Sequence, residues 1–531
     1  MVCVHYLYLT PTTQSVRERL TAFLLGLIIS QFARAQTAHD FHGLIVDDKT
    51  NMPVPFATVK LIKGKEIKWG VISNAEGDFQ IPAGYMSLID SVVISCIGYR
   101  NSVVKIREGD VLNMVRLRAG SVLLREVVIT PSRKPRLSAD KIVRMAINNI
   151  PKNYSSQPFS YTAYYRDYQR EEKEYVNLNE SIVGVFDKGF DSLDYKTTQI
   201  KIFQYQENKT FKRDSLTAIA YDNNSVAGNK FIPTATVSPF GGNELTLLLV
   251  HDAIRNYKTS SYSFVYTLST DFINNHFFKL LGNVYLHDVP LYHISFKSLF
   301  QVTGREHIAT GEIYIEHGNF AIHKLSYSTF LKEGGQQKLL YQIQLEYSRA
   351  ESLMHLNYIS FNNFFKYNTH LGFKVDDVAY DRAMNAFIVT FNHVPEITSA
   401  LNKKNYDFKF QKKPFVISKI KSSEKNDKEV FIFVANAHDF KLFEKPTQLA
   451  KKFDVDFKNI RDKEGNLVNE IKYKTVNQFR ELFVQRIHIS PEKNNSLSRF
   501  ISKQKPLSQN VVDSVQQKSS GYWMNTPLKE N

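Results

Sequence analysis

Cysteine is nearly absent: the 531 residues contain only Cys3 and Cys96. Cys3 falls in a leader expected to be removed, which leaves one thiol. Neither an intramolecular disulfide nor a thiolate metal cluster can then form. Cys96 sits between Ser95 and Ile97 in a strand-like run and reads as a buried core thiol. Catalytic signatures are missing as well. There is no His-Glu-x-x-His pair, no Gly-x-Ser-x-Gly elbow and no phosphate-cradling glycine loop. His251 and Asp252 are sequence neighbours, which point apart on a helix. His317 and His323 flank a turn and read as solvent-facing polarity. No residue is singled out as catalytic, cofactor-binding or metal-ligating, and no cofactor is expected. Long hydrophobic runs are lacking too. None after the leader reaches 18 residues, so no transmembrane helix is expected in the mature chain.

What is present is basic and aromatic. The formal net charge is +16. Residues 1–35 hold Arg17, Arg19 and Arg34 against Glu18, so the remainder keeps +14. Such a balance can serve an anionic partner or simply keep a surface solvated. The lysines are scattered, with one dense stretch at 403–428 that Asp407, Glu424 and Asp427 interrupt. A solvated basic surface is the expectation, with no nucleic-acid partner. Tyr (28) and Phe (38) far outnumber Trp (2), a bias that suits strands.

Arg17 and Arg19 precede an apolar run from Leu20 to Ile29, and Ala33 and Ala35 supply a small-x-small cleavage pattern. A signal peptide over 1–35, cut between Ala35 and Gln36, is expected. The mature chain would be periplasmic or associated with the outer membrane.

Residues 36–120 read as a β-sandwich. Ala57, Val59 and Leu61 alternate with Thr58 and Lys60, and Val92, Ile94 and Cys96 repeat the period of two. Asn74 to Asp78 form a turn in which Gly77 can take positive φ. Seven strands in about eighty residues argue for two packed sheets. Gly43, Val46, Asp47, Pro53, Pro55, Ala57, Val59, Ser73, Asn74, Gly77, Phe79, Ser95, Gly98 and Tyr99 resemble, in order and spacing, the carboxypeptidase-regulatory-like family of Gram-negative envelope proteins. The resemblance implies a transthyretin-like fold and no catalytic residues. In TonB-dependent receptors such a domain precedes a segment similar to Leu123–Pro131, then a plug and a barrel. About 400 residues follow here, too few for both. The stretch through Asn153, Tyr154, Pro158 and Tyr161 to Tyr165 and Arg166 resembles a group of barrel-less envelope proteins that share this domain. Residues 121–154 read as a linker and short helix capped by Ser138 and ended by Pro151.

Residues 155–400 read as a large antiparallel β-rich domain. Ile313 and Ile315 lead into a turn at His317, Gly318 and Asn319, and the chain returns through Ala321, His323, Leu325 and Tyr327. Tyr341, Ile343, Leu345 and Tyr347 alternate with polar residues. A helix over 243–257, capped by Asn243, presents Leu247, Leu248, His251 and Ile254 to the dry face. The hairpin is similar in style to those of periplasmic lipoprotein carriers, whose half-barrels hold acyl chains. This resemblance implies a hydrophobic-ligand face at Tyr314, Phe320, Tyr341 and Phe361, residues that would otherwise fill the core. Residues 401–490 read as a mixed region, with a capping-box helix from Thr475 and Gln478 carrying Phe479, Leu482 and Phe483. Residues 491–531 read as a loosely ordered polar tail.

The fold class expected is mainly β: an N-terminal transthyretin-like sandwich, then a large antiparallel domain with a few helices. The function expected is non-enzymatic binding or scaffolding in the envelope, with an outer-membrane or envelope protein as partner. Two alternatives stand beside it: a carrier of lipid or another hydrophobic ligand, and a hydrolase whose carboxylates or histidines converge only in space.

Overall fold

The computed structural model describes residues 40–531 except 65, 87, 106–112, 121–136, 172–173, 222–227, 234–242, 261–264, 287–288, 370–371, 382, 411, 437–452, 490–499, 514–521 and 528–531. The signal-peptide segment with its Ala35–Gln36 junction, and the Leu123–Pro131 segment, lie outside the described residues. The chain is mainly β and falls into two units. The first takes in the N-terminal 128 residues with 284–290 and 525–528; the second comprises the rest.

In the first unit the alternating runs form β1 (Phe41–Asp47), β2 (Thr58–Lys63), β3 (Glu66–Ile72), β4 (Asp78–Ile81), β5 (Ser91–Ser95), β6 (Ser102–Lys105) and β7 (Asn113–Leu117). They make two sheets, ordered β4-β1-β7 and β3-β2-β5-β6. Val59, Leu61, Val92 and Ile94 from one sheet, and Ile45, Phe79, Ile81 and Leu117 from the other, are buried. The Asn74 side chain accepts the N–H groups of Glu76 and Asp78 at 3.0 and 2.8 Å. Gly77 has φ +79°, and a Cβ there would lie 2.5 Å from the Ile45 carbonyl oxygen, so the turn needs glycine twice over. Cys96 is half-buried rather than fully buried, because β5 ends at Ser95 and the chain is already turning.

The second unit is built on one long sheet. Its strands are β8 (Phe159–Glu171), β9 (Glu174–Asp187), β10 (Gln199–Glu207), β11 (Lys230–Phe231), β12 (His276–Leu286), β13 (Val289–Ser298), β14 (His307–Glu316), β15 (Ile322–Glu333), β16 (Gln336–Ala350) and β17 (Leu353–Asn368). A smaller module follows: β18 (Val375–Asp381), β19 (Ala386–Phe391), β20 (Tyr406–Phe410), β21 (Lys413–Pro414), β22 (Ile417–Ser422), β23 (Glu429–Val434) and β24 (Phe453–Phe457). The chain then returns as β25 (Tyr473–His488). The sheet order is β10-β9-β8-β25-β17-β16-β15-β14-β13-β12, with β11 beside the end of β17. β14 and β15 form the hairpin that the His317–Asn319 turn predicts.

The capping-box helix at Thr475 is not formed: 473–488 is a strand. It pairs antiparallel with β17 through Tyr473–Phe483 and with β8 through Gln478–His488. Gln478 donates to the Tyr168 carbonyl at 3.2 Å and pairs with Gln169 instead of closing a cap. A strand bonded on both sides and buried on both faces loses its period of two, so its apolar spacing mimics a helix. The module β18–β24 has its own core around Phe373, Phe387, Phe391, Phe408, Val430 and Ile432. Residue 400, where the sequence suggests a boundary, ends a short helix inside this module.

Short helices lie on one face of the long sheet. These are α1 (Ala139–Asn148), α2 (Ile150–Asn153), α3 (Glu244–Leu249) and α4 (Phe272–Asn275). Ser138 caps α1 by accepting the Lys141 N–H, and Pro151 opens the short α2 instead of stopping the chain. Ile142, Val143, Ala146, Leu245 and Leu248 pack on Ala163, Val183, Ile313, Leu345, Ile359 and Leu482 in one continuous core. Each Val, Leu or Ile among them contributes about 1.5–3 kcal/mol relative to leaving it exposed. The polar tail expected from 491 is part of this structure over 500–513. Ile501 and Asp513 donate to the carbonyls of Ile200 and Ile202 at 2.9 and 2.7 Å, covering the β10 edge, and Leu507 joins the core.

Candidate functional site

The helix-covered face carries a row of rings running across the strands. Phe278 on β12 meets Phe296 on β13 at 6.0 Å, and Phe296 stacks on Tyr327 of β15 at 5.7 Å. Tyr327 stacks on Tyr341 of β16 at 6.4 Å, and Tyr341 reaches Phe361 of β17 at 6.5 Å. β14 contributes Gly311 to this row, where a Cβ would come 2.3 Å from Phe296 Cζ and 2.0 Å from the Ser326 carbonyl oxygen. Only glycine leaves room for Phe296 to lie across the intervening strand. His276 pairs with the Tyr327 hydroxyl at 3.2 Å, and burial pushes its pKa down to about 4, so the ring is neutral at ordinary pH.

Of the four residues expected on a hydrophobic-ligand face, Tyr341 and Phe361 belong to this row. Phe320 joins the same core at the β14–β15 turn, stacked over Tyr292. Tyr314 lies on the opposite face. Ile313 and Ile315 point into the core, so the residue between them points out, where it stacks on His293 at 4.4 Å and donates to Glu312. His317 and His323 do not converge. His317 stacks on Tyr292, whereas His323 is buried against Glu316 at 2.9 Å rather than facing solvent.

The segment expected as a helix over 243–257 is helical only over α3, and turns follow it. Asn243 is its cap, accepting the Thr246 N–H at 3.0 Å. Buried polar contacts tie both ends to the sheet. At one end Glu244 pairs with Arg480 of β25 at 2.5 Å, and Arg480 also donates to Asn363 and Tyr221. At the other, Arg255 makes two bonds to Asp187 at 2.7 and 2.8 Å and donates to the Gly189 and Ser192 carbonyls. Between them His251 stacks on Phe361 at 3.9 Å, and Asp252 accepts the Tyr347 hydroxyl at 2.6 Å. His251 and Asp252 lie beyond the helix, and both are buried, each on a different strand's side chain.

Asp187, Asp194, Asp252 and Arg255, with Tyr161, Phe190 and Tyr347, line a cavity of about 20 Å3. Three carboxylates converging with one guanidinium is the arrangement a hydrolase reading would look for. Each is already committed, however. Asp187 is held by Arg255, Asp194 by Thr198, and Asp252 by Tyr347 and the N–H groups of Ile254 and Arg255. The cavity has room for about one water and none for a substrate. Burial pushes Asp252 up to about 6 and raises Asp194, which the Asp187 charge raises further. Among the described residues no group of three or more His, Cys, Asp or Glu side chains could hold a metal ion.

None of this polar scaffolding has a local sequence signature, because its partners lie 68 residues apart for Arg255–Asp187 and 236 for Arg480–Glu244. The apolar row was half visible, since period-two parity alone separates Tyr314 from Ile313 and Ile315.

No family model and no curated protein matches the chain. Among solved structures it is similar to a DUF1329 family protein from Desulfovibrio piger, at 8% identity over 43% of this chain and 87% of that one, with a TM-score of 0.22. It is also similar to a LolA superfamily protein from Nitrosomonas europaea, at 11% identity, with 43% and 86% covered and a TM-score of 0.19. A third similar chain is a Vibrio parahaemolyticus domain named for outer membrane lipoprotein sorting, at 8% identity, 43% and 86% covered, and a TM-score of 0.21. At these TM-scores the likeness is too loose to assign a fold or an activity to this chain.

Proposed function

We propose that this protein is an exported envelope protein, without catalytic activity, that carries an apolar ligand of acyl-chain type on the helix-covered face of its long sheet. One observation carries the reading: the aromatic row runs beneath short helical pieces and ends at the last strand of the sheet, where the side chains beyond Phe278 are exposed. Phe278 is buried, but Leu280, two residues on and on the same face of β12, is 41% exposed. Phe277 and Leu281 beside it are 66% and 47% exposed, and among the described residues no strand pairs with the outer edge of β12. α3 and α4 have six and four residues, so the lid is made of pieces too short to be stable alone. The α3 segment is anchored at Glu244 and Arg255, so α4, whose Phe272 packs on Phe278 and Phe296 at the exposed end of the row, is the piece that can shift to admit a chain, where apolar contact would hold it. The resemblance of residues 38–119 to carboxypeptidase-regulatory-like domains fits an address in the periplasm or at the outer membrane.

A second reading, a scaffold that contacts an envelope or outer-membrane protein, is favoured by the filled core. The rings pack on one another and on Leu245 and Leu248 of α3 within one continuous core. Native mass spectrometry of residues 36–531 purified from a Gram-negative periplasm, with lipid extraction, separates the two. A discrete added mass that disappears on delipidation supports the carrier. A clean apo mass after exposure to lipid removes it in favour of the scaffold.

A further inference from the structure

The module β18–β24 carries a surface that the carrier reading does not use. Residues 403–428 hold nine lysines against Asp407, Glu424 and Asp427. Among the described residues the ion pairs of this module are Lys374–Asp376, Lys409–Asp407, Lys458–Asp456 and His393–Asp462. Lys403, Lys404, Lys419 and Lys421 take part in none of them, and all four are exposed.

The fold brings these four together. A short helix, α5 (Ile397–Ala400), runs into a 3-10 turn at Lys403–Asn405 that packs against β22. Lys403 Nζ donates to the Ser418 carbonyl of β22 at 2.5 Å. β22 is the last strand of its sheet, ordered β18-β19-β23-β22, and Lys419 and Lys421 flank its one buried residue, Ile420. Lysines on an edge strand protect it from pairing with other chains, which accounts for part of the pattern. It does not account for the apolar side chains among them. Ile397 is 61% exposed and Leu401, four residues on and therefore on the same side of α5, is 37% exposed. Val416, next to the strand that Lys403 clasps, is 56% exposed.

We infer that this surface docks on an anionic lipid bilayer, with the lysines against the headgroups and Ile397, Leu401 and Val416 entering the interface. Exposed lysines outside these ion pairs, carried on the same two short segments as exposed aliphatic groups, match a surface that is both anionic and apolar at its boundary. A soluble polyanion would use the charges and leave the aliphatic groups in water. The inference stands whether or not the long sheet carries a ligand.

The test is co-sedimentation of the mature chain, residues 36–531, with vesicles of phosphatidylcholine alone and of phosphatidylcholine mixed with phosphatidylglycerol, at low and raised salt. Binding is expected only to the anionic vesicles. Each neutralised lysine should weaken it about fivefold, so K403Q/K404Q/K419Q/K421Q should lose at least about 100-fold. I397S/L401S/V416S should remove the part of binding that survives raised salt. Circular dichroism checks the fold of each variant, and the apolar variant keeps the test decisive if the lysine variant does not fold. Failure of the parent chain to sediment with anionic vesicles overturns the inference. So does binding unchanged in both variants. Loss with the lysine variant alone, the apolar variant binding like the parent, also overturns it and assigns the lysines to a soluble polyanion.

Discussion

Arg255 shows what single residues do here. Its guanidinium is taken out of water only because Asp187 and two carbonyls receive it. Removing one partner of a buried pair strands the other, at about 3–5 kcal/mol. Arg255→Ala should therefore lower unfolding stability by that amount in denaturant titration, well beyond what an exposed arginine would cost. Asp252 acts in the opposite sense. Burial lifts its pKa from 3.8 to about 6, so the folded protein holds this proton more tightly than the unfolded chain does. The stability linked to that proton is fully present below about pH 4 and is lost as the pH rises through 6. Asp252→Asn, which keeps an acceptor for the two N–H groups, should flatten this dependence. Calorimetric melting curves of parent and variant should converge near pH 4 and separate above pH 6, with the variant the more stable.

At the scale of elements, α3 and β25 differ in what maintains them. α3 has six residues, so its cap matters: Asn243 satisfies the Thr246 N–H in a fully buried setting. Asn243→Ala should cost about 1 kcal/mol, measured by chemical unfolding. β25 depends on its neighbours instead. Glu481 on this strand receives Arg166 at 2.6 Å, Tyr168 at 3.1 Å and Tyr358 at 2.9 Å, joining β8, β25 and β17 on the face away from α3. The amides of β25 should accordingly exchange with deuterium more slowly than those of β12 between His276 and Asn283, since β12 pairs on one side only.

At the scale of the whole molecule, the long sheet is completed by a strand that arrives only after the 104 residues 369–472 have been made. β17 and β8 both wait for β25, which is more than 300 residues from β8 in sequence. A chain spanning 36–472 should lack a cooperative thermal transition and be insoluble, because β8 and β17 each lose their partner along one edge and Arg166 loses its carboxylate. A chain spanning 36–499 keeps β25 and loses the cover of the β10 edge together with buried Leu507 and Trp523, so it should stay folded with a lower melting temperature. Circular dichroism melts of the two fragments decide this.

The sequence by itself determined the fold class and much of the local structure. It foretold the alternating strands of the first unit, the Asn74–Gly77 turn, the β14–β15 hairpin and the caps at Ser138 and Asn243, all of which depend on neighbours a few residues away. Only the tertiary structure decided that 473–488 is a strand. Burial on both faces removes the alternation that would have revealed it, and hydrogen bonds to two distant strands outweigh a local cap. It likewise decided that Tyr314 leaves the ring row, that the tail covers the β10 edge, and that Lys403 meets β22. The convergence of Asp187, Asp252 and Arg255 was also beyond local reading, because ion pairs between distant segments follow chain topology and leave no periodic trace in sequence.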